Sequence, residues 1–233
     1  MFSPLHHDWR NVLLPEAVVQ SKLDSKSTAF YQLGVFSGNS MRQNYRIFRY
    51  LNKALAAGYG FDVFTGMPKE TAEPIWQDSW NPDINPDDFN IISNSNLDKY
   101  MISSVDDHVN ILKLDLYGIS PETETNIFVG LVEDTLPPLD NLLPAFYIDV
   151  DFDIYSPTKF ALETLIEKEL IIPETLIGYD DWGGTPDFND FKYGESRAHK
   201  EIVEEFGISM KRLGQVGNEF PHVQTLWRVE SIG

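Results

Sequence analysis

The stretch running from Ala145 through Val150 into Asp151, Asp153, Tyr155 and Thr158 limits the fold more than any other part of the chain. Residues 145–148 and Val150 are apolar, aromatic or β-branched, the composition of a strand buried in a sheet. Asp149, Asp151 and Asp153 occupy alternate positions, which share one face for as long as the strand persists. Three anions on one edge of a core strand repel one another and are costly to desolvate unless a cation or a ligand compensates them. The stretch therefore reads as the carboxyl end of a central strand carrying a metal site. A solvated strand-to-helix turn, with the helix starting near Ser156 or Pro157, is the plainer alternative, and it accounts for one acid rather than three. A calcium hand is excluded: counting from Asp149, the required glycine falls on Ile154 and the required glutamate on Phe160.

A central strand needs neighbours, and the chain supplies them in order. Residues 29–36 read as a buried strand, followed by Ser37-Gly38-Asn39-Ser40 and a helix over 41–57 with Ile47, Leu51 and Leu55 on one face. Strand, glycine turn, helix opens a nucleotide-binding half-sheet. The spacing Gly34-x-x-x-Gly38-x-Ser40 lacks a Walker lysine and the closely spaced glycines of the dinucleotide fingerprint. The next strand, 59–64, places Asp62 roughly 20 residues further on, where such sheets bind a ribose.

A polar segment to about residue 96 carries Pro74, Pro82, Pro86, Trp76 and Trp80, and reads either as a lid over a ligand or as a loop pinned by its own tryptophans. Beyond it the pattern gives a helix over 97–114, a strand over 126–132 with Glu133 at its exit, a helix over 158–170 and a strand over 175–179 ending in Asp180 and Asp181. A helix from Gly194 to about Phe206 and two strands, 210–213 and 222–230, complete the chain, the strands as an antiparallel pair at the sheet edge. His199 falls mid-helix and reads as a packing or surface residue. The expected class is α/β: a Rossmann-like, mostly parallel seven-stranded sheet with helices on both faces and an antiparallel strand near the C-terminus. Residues 1–28, with His6, His7, Trp9 and a helix around 16–23, read as an N-terminal extension, and 29–233 as a single domain.

Charge and cysteine content narrow the function. Eighteen Lys and Arg against 36 Asp and Glu give a net charge of -18, which argues against nucleic acid or an anionic membrane as partner. The absence of cysteine removes disulfides, thiolate metal sites and thiol nucleophiles, and fits a reducing compartment. Neither a leader pattern nor an apolar run of about 18 residues is seen, so a cytoplasmic protein is expected. In a parallel sheet, ligands collect at the carboxyl ends of the strands, where Gly34 to Ser40, Asp62, Glu133, Asp151, Asp153, Asp180 and Asp181 all fall. Oxygen donors of this kind suit magnesium or another hard divalent ion.

Several blocks taken together resemble the class I S-adenosylmethionine-dependent methyltransferases, in particular the metal-dependent group that includes macrocin O-methyltransferase. They are residues 30–40, 60–68, 130–137, 151–158, Tyr179-Asp180-Asp181-Trp182 and Gly194-Glu195-Ser196-Arg197-Ala198, in the family's order from about residue 29 onward. The resemblance implies that Gly34, Gly38 and Ser40 hold the methionyl part of S-adenosyl-L-methionine, that Asp62 binds its ribose and that Glu133 contacts its adenine. It implies Asp151, Asp180 and Asp181 as ligands of Mg2+, and Asp153 as the general base.

Three positions depart from the family pattern. Gln32 stands where an acid is often found, Pro157 replaces a small hydroxyl residue, and Asp149 adds an acid that leaves open whether Asp149 or Asp151 leads the metal set. The implied activity is methyl transfer to a hydroxyl of a small molecule, a sugar or another hydroxylated metabolite. A carboxylate beside the acceptor takes its proton. The short N-terminal segment leaves the acceptor pocket either open or completed by a partner chain, as in a homodimer. Aromatic residues Trp76, Trp80 and Trp182 are candidates for stacking on the acceptor, with core packing or loop anchoring as the alternative. Rival readings are a haloacid dehalogenase-like phosphatase built on Asp149 and Asp151, a metal-dependent glycosyltransferase, and a non-catalytic module that binds S-adenosylmethionine or a nucleotide.

Overall fold

The computed structural model describes residues 8–70, 72, 90–92, 103–182, 191, 193–217 and 223–233. The expectations placed on His6, His7, Trp76 and Trp80 lie outside the described residues, as does the start of the helix expected over 97–114.

Two short helices come first, α1 (Trp9–Val12) and α2 (Leu14–Gln20), and lead into β1 (Ala29–Leu33). There follow α3 (Asn39–Tyr50), β2 (Ala57–Asp62), α4 (Val105–Ile119), β3 (Glu124–Val129), α5 (Val132–Thr135), β4 (Ala145–Val150) and α6 (Tyr155–Glu167). The chain closes with β5 (Leu176–Tyr179), α7 (Gly194–Glu205), β6 (Ser209–Val216) and β7 (Gln224–Ser231). The strands form one sheet in the order β3-β2-β1-β4-β5-β7-β6. β1 to β5 run parallel, β7 is antiparallel to β5, and β6 is antiparallel to β7. The strand order reverses beside β1, between β1 and β4, and this is where crevices open at the carboxyl ends of such sheets.

Alternation along the central strands sorts the core into two layers. Tyr31, Leu33, Tyr59, Phe61, Ile148 and Val150 face one way and pack with Ala161, Leu165 and Ile202 from α6 and α7. Phe30, Tyr147 and Leu176 pack on the other side with Tyr45 and Phe48 of α3 and Leu112 and Leu116 of α4. Trp9, Leu14, Ala17 and Val18 belong to that second layer, so the segment before β1 is built into the core. The Trp9 ring packs against β5, where a Cβ on Gly178 would sit 1.8 Å from it; only glycine leaves room for it.

Element ends differ from expectation for identifiable reasons. β3 stops at Val129 because Gly130 takes φ +140°, and α5 starts directly after it. α4 begins where Ser104 caps the Asp107 amide at 3.1 Å and runs to Ile119, further than the pattern predicts. α6 begins three residues before the expected Thr158, without a side-chain cap from its own N-cap residue. Its cap comes from Glu70, whose Oε2 accepts from the Tyr155 amide at 2.8 Å and the Ser156 amide at 3.1 Å. A carboxylate at a helix N-terminus satisfies orphan donors and meets the positive end of the helix dipole.

Candidate active site

The central strands converge on a cavity of about 520 Å³ at their carboxyl ends. The turn after β1 forms one wall. Gly34 takes φ +89°, and a Cβ there would lie 1.9 Å from the carbonyl oxygen of Asp151, so β1 and β4 meet with no space for a side chain. The acid ending β2 holds the turn in shape. Asp62 Oδ2 accepts from the Val35 and Phe36 amides, both at 2.7 Å, and its Oδ1 accepts from the Phe64 amide at 2.6 Å. Phe36 and Phe64 sit at φ 43° and 56°, a strained region for aromatic residues that these bonds help to hold. A carboxylate has about four acceptor sites, so Asp62 keeps capacity for a ligand hydroxyl.

A second wall carries the acids of β4 and β5. β4 ends at Val150, so the alternation expected through Asp153 breaks. Asp153 takes φ 65°, which takes it out of the strand's alternation. Asp151, Asp153 and Asp181 each offer an oxygen, all within 4.8 Å of one another. Glu195 lies fully buried beneath them, its Oε2 accepting from the Asp181 amide at 3.2 Å. Its Oε1 has no hydrogen-bond partner among the described residues. Burial first, then mutual repulsion, raises the carboxyls of Asp151, Asp153, Asp181 and Glu195 above the usual carboxylate range.

The counter-charge comes from Arg10, only 3% exposed. Its Nε and Nη2 donate to the two oxygens of Asp149, each at 2.8 Å, and its Nη1 donates to Asp180 Oδ1 at 2.8 Å. Nη2 also reaches Asp151 Oδ2 at 3.4 Å. Burial works against the guanidinium charge, and the charges of Asp149 and Asp180 overcome it, so Arg10 stays protonated. Asp149 is fully buried and accepts in addition from Asn44 Nδ2 at 2.6 Å. A side chain so enclosed has no access to a phosphate ester, which removes the basis for a phosphatase nucleophile at Asp149.

Of the residues singled out in the sequence, Gly34, Ser40, Asp62, Glu133, Asp151, Asp153, Asp180 and Asp181 line the cavity. Gly38 does not; it precedes α3 and faces Leu112. Asp180 lines the cavity but stands outside the close cluster, its Oδ1 taken by Arg10 and by Gln224 Nε2 at 2.6 Å. Gln32 is buried away from the cavity, where its amide donates to the Gly34 carbonyl at 2.9 Å. Trp182 is spent in the core, in an aromatic group with Tyr179, His199 and Trp227. His199 is a packing residue there, 4% exposed.

Three charged residues were not legible as parts of the site. Arg10 precedes the nucleotide-binding pattern, Glu70 sits in a loop without periodicity, and Glu195 is one acid among several on its helix. Charge balance was the available signal for Arg10, since a core strand ending in acids calls for a cation.

No protein-family model matches the sequence, and no curated protein matches it. Solved structures do. CalS11, a calicheamicin methyltransferase, aligns with a TM-score of 0.61 at 16% identity over 95% of this chain and 79% of its own. The O-methyltransferase NovP aligns at 0.55 with 16% identity, over 94% of this chain and 79% of that one. An O-methyltransferase from Bacillus cereus, solved in complex with SAH, aligns at 0.51 with 14% identity, over 99% and 83%. The chain has the fold of the class I S-adenosylmethionine-dependent methyltransferases.

Proposed function

We propose that this protein transfers a methyl group from S-adenosyl-L-methionine to a hydroxyl of a small molecule, with a divalent cation, Mg2+ or a similar hard ion, at the acceptor. One observation carries the reading: the glycine turn with its Asp62 brace and the Asp151, Asp153, Asp181 cluster open into the same cavity. A donor pocket and an acceptor-activating pocket are thereby held side by side.

The residues fit both groups. Gly34 and Ser40 line the wall suited to the methionyl part, Asp62 has acceptor capacity for ribose hydroxyls, and Glu133 stands at the rim for the adenine amino group. The all-carboxylate cluster is the donor set hard cations favour, and beneath it a buried Glu195 oxygen has no hydrogen-bond partner among the described residues. When bound, a divalent cation lowers the pKa of an adjacent hydroxyl. Asp153 accepts the hydroxyl proton. The acceptor oxygen forms a bond to the methyl carbon as the carbon–sulfur bond breaks, and the sulfonium becomes a neutral thioether. The walls supply alignment for this in-line displacement.

A sugar hydroxyl is the proposed acceptor. CalS11 is described as a TDP-rhamnose 3'-O-methyltransferase, and its fold spans 95% of this chain. The test is methyl transfer with Mg2+ and a panel of nucleotide sugars, beside the Asp153→Asn variant. That variant is expected to lose at least 100-fold in turnover, within the usual range for a general base, while binding S-adenosylhomocysteine as tightly as wild type. Undiminished turnover would remove Asp153 from the role. A binding module without catalysis would show affinity and no transfer to any acceptor.

A further inference from the structure

We propose that Arg10 sorts the acids of the site: it takes Asp149 and Asp180 for itself and leaves Asp151 and Asp181 as the cation's ligands, with Asp153 beside them as the base. The proposal rests on the cation-dependent reading above and goes beyond it in assigning the ligand set and in giving the N-terminal segment a part in the site.

The argument starts from an array with more acids than one ion needs. Asp149, Asp151 and Asp153 follow one another on β4 and its extension, Asp180 and Asp181 follow β5, and Glu195 lies beneath. Sequence alone cannot divide them, because adjacent aspartates such as Asp180 and Asp181 are equivalent as donors. The guanidinium divides them by geometry. Its planar fork matches a carboxylate, and Asp149 meets it with both oxygens at 2.8 Å. Its remaining edge takes Asp180 Oδ1 at 2.8 Å, and Gln224 donates to that same oxygen at 2.6 Å. Asp180 is thereby turned toward α1 and β7, whereas Asp181 keeps an oxygen within 4.8 Å of oxygens of Asp151 and Asp153.

Arg10 is itself fixed from outside the site. Asp8 caps α1 by accepting from the Arg10 amide at 2.8 Å, and Gln43 Nε2 on α3 donates to Asp8 at 3.0 Å. Trp9, seated over Gly178, anchors the next residue. The cation is thus delivered by a helix whose docking depends on the core, and Arg10 acts as a positioning residue rather than a catalytic one.

Titration of the full chain with Mn2+, followed by the loss of free-ion electron paramagnetic resonance signal, tests this without an acceptor. Wild type is expected to bind one ion. Asp180→Asn is expected to bind it within about twofold of wild type, and Asp181→Asn at least tenfold more weakly. In an Arg10→Met background Asp180 is released, so adding Asp180→Asn there is expected to change affinity at least fivefold. If Asp180→Asn weakens binding as much as Asp181→Asn, the sorting is overturned, and this comparison stands even where Arg10→Met does not fold. Absence of Mn2+ binding by wild type would instead sink the cation reading itself, and the sorting with it.

Discussion

His199 shows at the scale of one residue how burial translates into pH dependence. It lies among Tyr179, Trp182 and Trp227, with the Tyr179 hydroxyl 3.1 Å from Nδ1, and burial lowers its pKa from 6.5 to about 3. Between those values the unfolded chain binds a proton that the folded chain does not, so stability falls as pH drops through that window. Wild type is expected to lose about 1–2 kcal/mol more than His199→Gln between pH 6.5 and pH 5, with no such difference in slope above pH 7. Urea denaturation of both proteins at each pH measures it; parallel profiles would mean that the ring is solvated. The residue's packing role was readable from its mid-helix position, but the size of the effect was not, because Trp182 and Trp227 come from distant parts of the chain.

Elements were legible in sequence wherever their cause was local. β1, β2, β4 and β5 were found from apolar runs bounded by Gly and Asp, and the edge pair β6 and β7 from its position after the last helix. Where a boundary depends on a remote partner, the sequence is silent. α6 starts at Tyr155 because Glu70 arrives from 85 residues earlier in the chain. The same side chain receives the Ser156 hydroxyl, so it also ties the loop of Gly66 to Lys69 against the cavity. Glu70→Gln keeps the shape and removes the charge. It is expected to cost about 1–2 kcal/mol in unfolding free energy and to speed hydrogen exchange at the Tyr155 and Ser156 amides. Unchanged exchange at those two amides would show that the helix start does not depend on Glu70. At the other wall, Gly34→Ala forces a Cβ against the Asp151 carbonyl at a positive φ, and the expected outcome is a loss of cofactor affinity together with stability.

The whole molecule opens a cavity at the switch point of its one sheet, and much of that layout was legible. Gly34 and the cavity-lining acids Asp62, Glu133, Asp151, Asp153, Asp180 and Asp181 were named from sequence because strand ends in a parallel sheet are predictable and the acids sit at them, whereas Gly38 falls outside the cavity. What escaped was charge compensation: Arg10 closes its contacts across 139 and 170 residues of chain, a distance no local pattern reports. Among the described residues no helix is long and apolar enough to cross a membrane. The central claim is that this chain binds S-adenosylmethionine or its product in the cavity beside the aspartate cluster. Calorimetric titration with S-adenosylhomocysteine, with and without Mg2+, tests it most directly. The account predicts saturable binding at one site per chain; no binding under either condition would contradict it.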